Sequence, residues 1–204
     1  MWFTKGIDEL TSQNLVDLWQ GNISTIGYAT NGTVLELYQG WNFIGLTVDP
    51  VGPAIEQILG NIIADVGTVW TFDAPGSWYF FTTIEGAPQG GLTEMALGIG
   101  YWVEIKNPVS LLMLGGEPTY PFEIQLFEGW NMISIPKTPS SPEIEEVLVG
   151  ILDNVQTVWT YDASAQLWDY FTTVEGAHQG GLTQMIEGRA YWVEMKAGDT
   201  LVIN

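Results

Sequence analysis

The sequence predicts a mainly β protein of the β-sandwich kind, with one short helix per repeat, in two tandem copies preceded by a helix and hairpin arm. Three observations carry that prediction: a long internal repeat, short apolar and aromatic runs of strand period, and Gly and Pro punctuation between them. LYQGWNFIG (37–45) returns as LFEGWNMIS (126–134), and VGTVWTFDA (66–74) as VQTVWTYDA (155–163), both at an offset of 89. WYFFTTIEGAPQGGLTEM (78–95) returns as WDYFTTVEGAHQGGLTQM (168–185), and GIGYWVEIK (98–106) as GRAYWVEMK (188–196), at an offset of 90. The extra residue falls where DAPGSW becomes DASAQLW, which places an exposed turn before Trp168.

These matches divide the chain into an arm (1–36), repeat 1 (37–116) and repeat 2 (117–204). Two units of this size can each close a core, since a domain of about 80 residues is already large enough to do so. The arm reads as an amphipathic helix around Thr11 to Trp19, then a hairpin turning at Asn31-Gly32. The run Ile23 to Leu37 is read as a possible donor of strand edges to a neighbour.

Within each repeat, Gln39-Gly40 and Glu128-Gly129 are read as hairpin turns leading into the strand that begins WN. A helix follows, with Pro53 or Pro142 in its first turn and an apolar stripe: Ile55, Ile58, Leu59, Ile62 and Val66, or Ile144, Val147, Leu148, Ile151 and Val155. Glu143, Glu145 and Glu146 crowd the positive end of the second helix. Strands around TVWT, WYFF or WDYF, and YWVE come next, and the last runs from Val109 to Leu114 or Thr200 to Ile203. GGEPTYP (115–121) separates the copies without a long linker, so the two halves are expected to touch.

The order GWN-x-I, VW-x-[FY]D, aromatic strand, LT-x-M-x-x-G and YWVE resembles a repeat domain of modular cell-surface and secreted proteins of bacteria and archaea. The resemblance covers 37–114 and 126–203, and implies a β-rich fold with a structural or adhesive role. It brings no catalytic residues.

Charge narrows the partners. Twenty-four acidic residues against five basic ones give a net charge of −19, which repels phosphate backbones and points away from nucleic acid. With no cysteine there are no disulfides and no thiolate chemistry. The first residues, MWFTKGIDEL, lack the basic and apolar regions of a classical export signal, and no run reaches a membrane span of about 18 apolar residues.

Candidate chemistry is sparse. Glu85 and Glu175 recur in T-T-x-E-G-A-x-Q-G-G-L-T, but a phosphate-cradling loop would also need a nearby base. Gly90-Gly91 and Gly180-Gly181 are read as meeting unusual backbone angles. Asp73, Glu85 and Glu104, or Asp162, Glu175 and Glu194, could pair as glycosidase carboxylates only if the fold set their separation. The single histidine, His178, stands where repeat 1 has Pro88, so neither a triad nor a two-histidine metal site can be built on it. No catalytic residue, cofactor site or metal site is assigned.

The aromatic residues say more. Alternation in YWVEIK puts Tyr101, Val103 and Ile105 on one face and Trp102, Glu104 and Lys106 on the other, and Tyr191 to Lys196 repeats this. Trp102 and Trp192 therefore share a face with charged residues, set against a reading in which the helix or neighbouring hairpin covers each, and with Trp78 and Trp168 they are the candidate partner-binding residues. Trp41, Trp70, Trp130 and Trp159 are assigned to the core. The expected function is that of a non-enzymatic structural protein on a virion surface (capsid decoration, fibre or tail subunit), acting through protein partners in an oligomeric assembly. The alternative is a cell-surface or secreted adhesive or carbohydrate-binding module.

Overall fold

In a computed structural model, residues 31–204 are described, except 75, 88–89 and 178–179. Among these described residues thirteen strands form four sheets, and the protein is mainly β and sandwich-like. The first lobe contains β1 (Asn31–Leu37), β2 (Gly40–Gly45), β3 (Asp49–Pro50), β4 (Val66–Asp73), β5 (Ser77–Thr82), β6 (Gly100–Ile105) and β7 (Val109–Gly116). The second contains β8 (Phe122–Leu126), β9 (Gly129–Ser134), β10 (Val155–Asp162), β11 (Leu167–Thr172), β12 (Ala190–Met195) and β13 (Asp199–Ile203). Each lobe builds a four-stranded antiparallel sheet, β2-β6-β4-β5 and β9-β12-β10-β11, backed by a smaller one, β1-β7-β3 and β8-β13.

The WN strand does not form the expected hairpin with the strand before it. β1 pairs with β7 and β2 with β6, so Gln39-Gly40 is a corner by which the chain leaves the small sheet for the large one, and Glu128-Gly129 repeats it. Gly40 and Gly129 have φ of 92° and 89°, a conformation that side chains with a Cβ rarely adopt. Asn42 locks the corner: its side chain accepts from the Tyr38 N–H (2.9 Å) and donates to the carbonyls of Tyr38 (2.7 Å) and Gly40 (3.1 Å). Asn131 repeats this with Phe127 and Gly129. The expected helix and first hairpin strand of the arm fall outside the described residues; Asn31-Gly32 is not a turn but opens β1, where Asn31 lies opposite Gly115 and Gly32 opposite Leu114 in the first lobe's small sheet.

The helices are shorter than the stripes suggest. α1 (Ile55–Ile58) and α2 (Ile144–Val147) are single turns, followed by 3-10 turns at Gly60–Asp65 and Leu152–Asn154. Gly60 and Gly150 interrupt the α-helix in each repeat, and Val66 and Val155 already open strands. Pro53 and Pro142 precede the helical turns, and their carbonyls accept the N–H of Met95 and Met185 (2.8 Å each). The stripe is nevertheless a core stripe. Leu59, Ile62 and Val66 pack with Tyr101, Val103 and Leu111 in one lobe, and Leu148, Ile151 and Val155 with Tyr191, Val193 and Leu201 in the other.

Each core thus occupies one face of its large sheet, leaving the other face free. The lobes meet through those second faces, where Phe43, Met132 and Ala190 are buried with Trp102 and Trp192 packed on them. The contacts are reciprocal. The Gly45 N–H bonds the Gly188 carbonyl (3.2 Å) and the Ser134 N–H bonds the Gly98 carbonyl (3.0 Å), each pair being the other's counterpart in the repeat. Ile44 likewise bridges to Arg189, and Ile133 to Ile99. The seam therefore has the self-complementary character of a two-fold interface, within one chain.

Candidate functional site: two tryptophan grooves

The alternation anticipated in YWVE is present. Tyr101, Val103 and Ile105 are buried, and Trp102 and Glu104 point to the other side of the sheet, half-buried. Cross-strand register then places aromatic side chains in rows. Phe43 lies opposite Trp102, Trp102 opposite Trp70, and Trp70 opposite Phe80, so one row crosses all four strands. The second lobe repeats it as Met132, Trp192, Trp159 and Tyr170. Neighbouring rings on one sheet face reinforce each other when stacked or edge-on. Phe43 lies flat on Trp102 (4.3 Å, 9°), and Trp159 on Tyr170 (4.6 Å, 20°).

Trp41, Trp70, Trp130 and Trp159 are not core residues. Trp41 and Trp130 are 40% and 41% exposed, and Trp70 and Trp159 are half-buried. All four lie on the outward face because they share strand parity with Trp102 and Trp192; the inward positions are held by smaller side chains such as Val69 and Val158. Nor does the helix or the lobe's own hairpin alone cover Trp102 and Trp192. Trp102 is met by Tyr161 and Trp168 of the opposite lobe (5.5 Å each), and Trp192 by Phe72 and Trp78 (5.4 and 5.7 Å).

The β4–β5 and β10–β11 hairpins therefore reach across the seam and lay Trp78 and Trp168 on the partner sheet, where half of each indole stays exposed. Two open grooves result. One, of about 690 Å³, is lined by Trp41, Trp70, Trp78, Trp102, Tyr161 and Trp168. The other, of about 1110 Å³, contains Trp130, Trp159, Trp192, Trp78 and Trp168, and extends along β10 and β11 past Thr157 and Val174, with Glu194 in its wall. Every tryptophan among the described residues lines one groove or both.

The remaining candidates are scattered. Glu85 and Glu175 are exposed in their loops and line neither groove. In that loop the left-handed residues are Gly86 and Gly176 (φ 76° and 77°), not the paired glycines. Gly90 and Gly180 serve close approach, since a Cβ at either would strike the carbonyl oxygen of Phe80 or Tyr170, which Leu92 and Leu182 bond through their N–H groups (3.0 and 3.1 Å). The insertion before Trp168 makes a turn with Gln166 at φ 56°, where Asp162 accepts from the Ser164 hydroxyl (2.6 Å) and the Ser164 and Ala165 N–H groups. Those bonds, with Arg189 nearby, hold its carboxyl below the ordinary range. Pro88 and His178 lie outside the described residues. Among the described residues no group of three or more His, Cys, Asp or Glu could hold a metal ion, and no helix is long and apolar enough to cross a membrane.

The fold and site together define a two-lobed β-sandwich-like protein whose distinguishing surface is a pair of aromatic grooves related by an internal two-fold. No protein-family model, no curated protein and no solved structure matches this chain.

Proposed function

We propose that this chain is a non-enzymatic structural protein of a large assembly, working through protein–protein contacts made by its two tryptophan grooves. The observation that carries the reading is the placement of eight tryptophans on the outward sheet faces, where they line two grooves, instead of in the two cores. Contiguous exposed apolar surface of this kind marks partner sites, and tryptophan is over-represented among the residues that dominate binding energy. A virion surface, as a capsid decoration, fibre or tail subunit, is the setting proposed. The resemblance of the repeats to cell-surface domains also suits an extracellular scaffold.

The glycan-binding alternative has the flat Trp159–Tyr170 platform in its favour. Against it stands the lining of the smaller groove, whose hydrogen-bonding groups are indole N–H and one phenol. A sugar carries hydroxyls that need several polar partners when desolvated.

Isolation from the native source tests the proposal. The protein is expected to sediment with a particle in fixed stoichiometry, and the Trp78→Ala/Trp168→Ala variant to lose that association while keeping its far-UV circular dichroism. A monodisperse native protein, or a folded variant that still joins the particle, would overturn it.

A further inference from the structure

Resting on the docking reading above, we infer that the occupant of the grooves is an extended segment of a partner protein bearing arginine or lysine side chains. Cross-strand register sets Glu194 opposite Trp130, in the wall of the larger groove, and Glu104 opposite Trp41, although the Glu104 carboxylate itself leans over Gly67 of β4. Neither carboxylate has an ion-pair or hydrogen-bond partner among the described residues. Each outer indole also stands at a right angle to the central one of its sheet, Trp41 to Trp102 at 88° and Trp130 to Trp192 at 89°, with centroids 6.4 and 6.1 Å apart. A cation seated against Trp130, the outer indole of the larger groove, meets an aromatic side chain with the Glu194 carboxylate nearby, and indole is the ring to which cation–π attraction is strongest.

Among the described residues, the protein's own cations do not fill these corners. Lys106 and Lys196 donate to the carbonyls of Ala64 and Asp153 (3.2 and 3.1 Å), Arg189 pairs with Asp162 (3.7 Å), and Lys137 lies over Tyr120 (5.9 Å). The net charge of −19 draws a basic partner from a distance and repels an acidic one. Volumes of about 690 and 1110 Å³ exceed what one side chain fills, which favours a segment over a lone small cation.

The test titrates the full chain with a synthetic alternating Gly-Arg peptide, followed by tryptophan emission and calorimetry, with Gly-Glu and Gly-Ser peptides of equal length as controls. Only Gly-Arg is expected to bind. The Trp41→Ala/Trp130→Ala variant, whose net charge is unchanged, should bind it at least about tenfold more weakly. Glu194→Gln should weaken it several-fold. If the alanine variant unfolds, Trp41→Phe/Trp130→Phe keeps an aromatic ring and should still lose affinity. Unchanged affinity in the folded tryptophan variants would assign binding to bulk charge and overturn the inference. So would tetramethylammonium binding as tightly as the peptide, which would make this a small-cation site. A wild type that ignores Gly-Arg, but whose particle association is lost in Trp78→Ala/Trp168→Ala, would overturn the cation assignment and leave docking intact. Particle association retained in that variant would overturn docking itself.

Discussion

Gly45 and Ser134 occupy the same position in the two repeats and face each other across the seam, so that a side chain built on Gly45 would overlap the Ser134 side chain. At such a point of near two-fold symmetry a residue meets its own counterpart, and two side chains do not fit. Gly45→Ser, which copies repeat 2 into repeat 1, is therefore expected to cost about 2–3 kcal/mol by overpacking. Gly45→Ser/Ser134→Gly should recover most of that loss. Urea unfolding of the three proteins decides the matter, and a single variant as stable as its parent would show that the strands can part freely.

The two corner asparagines should be as sensitive. Asn42 and Asn131 are 2% and 3% exposed and satisfy backbone groups that no other side chain reaches at the corner. Asn42→Ala should lower the stability by about 2–3 kcal/mol, because a buried polar group left unpaired costs more than the bond itself contributed. Asn42→Asp should be no better, since it turns a donor facing three carbonyls, those of Tyr38, Gly40 and Val103, into a carboxylate. Equal denaturation midpoints for Asn42→Ala and wild type would remove the clamp from the account.

How much of this was legible in the sequence follows from parity and reach. Strand parity is local, so the burial of Tyr101, Val103 and Ile105 and the outward turn of Trp102 follow from YWVEI alone. The corner at Gly40 looked like a hairpin because Gly with positive φ serves both, and only the distant partners β6 and β7 distinguish them. Trp41 and Trp70 looked like core because large apolar residues usually are. Applying the parity rule already used for Trp102 would have placed them on its face. What covers that face is a second lobe, and no local pattern announces a contact made across some 90 positions of chain.

Two buried phenols predict alkaline sensitivity. Burial pushes Tyr101 and Tyr191 up to about 12, although each hydroxyl accepts a backbone N–H, from Ala96 (2.8 Å) and Ile186 (2.7 Å). An unfolded tyrosine titrates near 10, so between about pH 10 and 12 the folded state holds protons that the unfolded state has lost. The stabilisation is complete below pH ~10 and declines as pH rises toward 12, by roughly 1.4 kcal/mol per pH unit for each tyrosine. Denaturant titrations at several alkaline pH values should show that slope, about halved in Tyr101→Phe; a flat profile would contradict it.

Tryptophan substitutions should separate folding from docking. Trp102 stacks on Phe43 within the seam, whereas Trp168 is half exposed. Trp102→Ala is expected to cost about 2–4 kcal/mol and Trp168→Ala about 1. Thermal unfolding reads the order, and the reverse order would mean that the hairpin tips, not the seam, hold the lobes together.

Because Trp78 is carried by one lobe and completes an aromatic wall on the other, and Trp168 does the converse, neither lobe owns a whole groove. Occupancy and lobe closure are then thermodynamically linked. A ligand that contacts both lobes pulls the closed arrangement forward by mass action, about 2.7 kcal/mol at a concentration a hundredfold above its Kd. The linkage is reciprocal, so strain applied between the lobes would be felt as weakened grip on such a ligand. A chain built this way would resist being pulled apart in proportion to how firmly it held such a ligand.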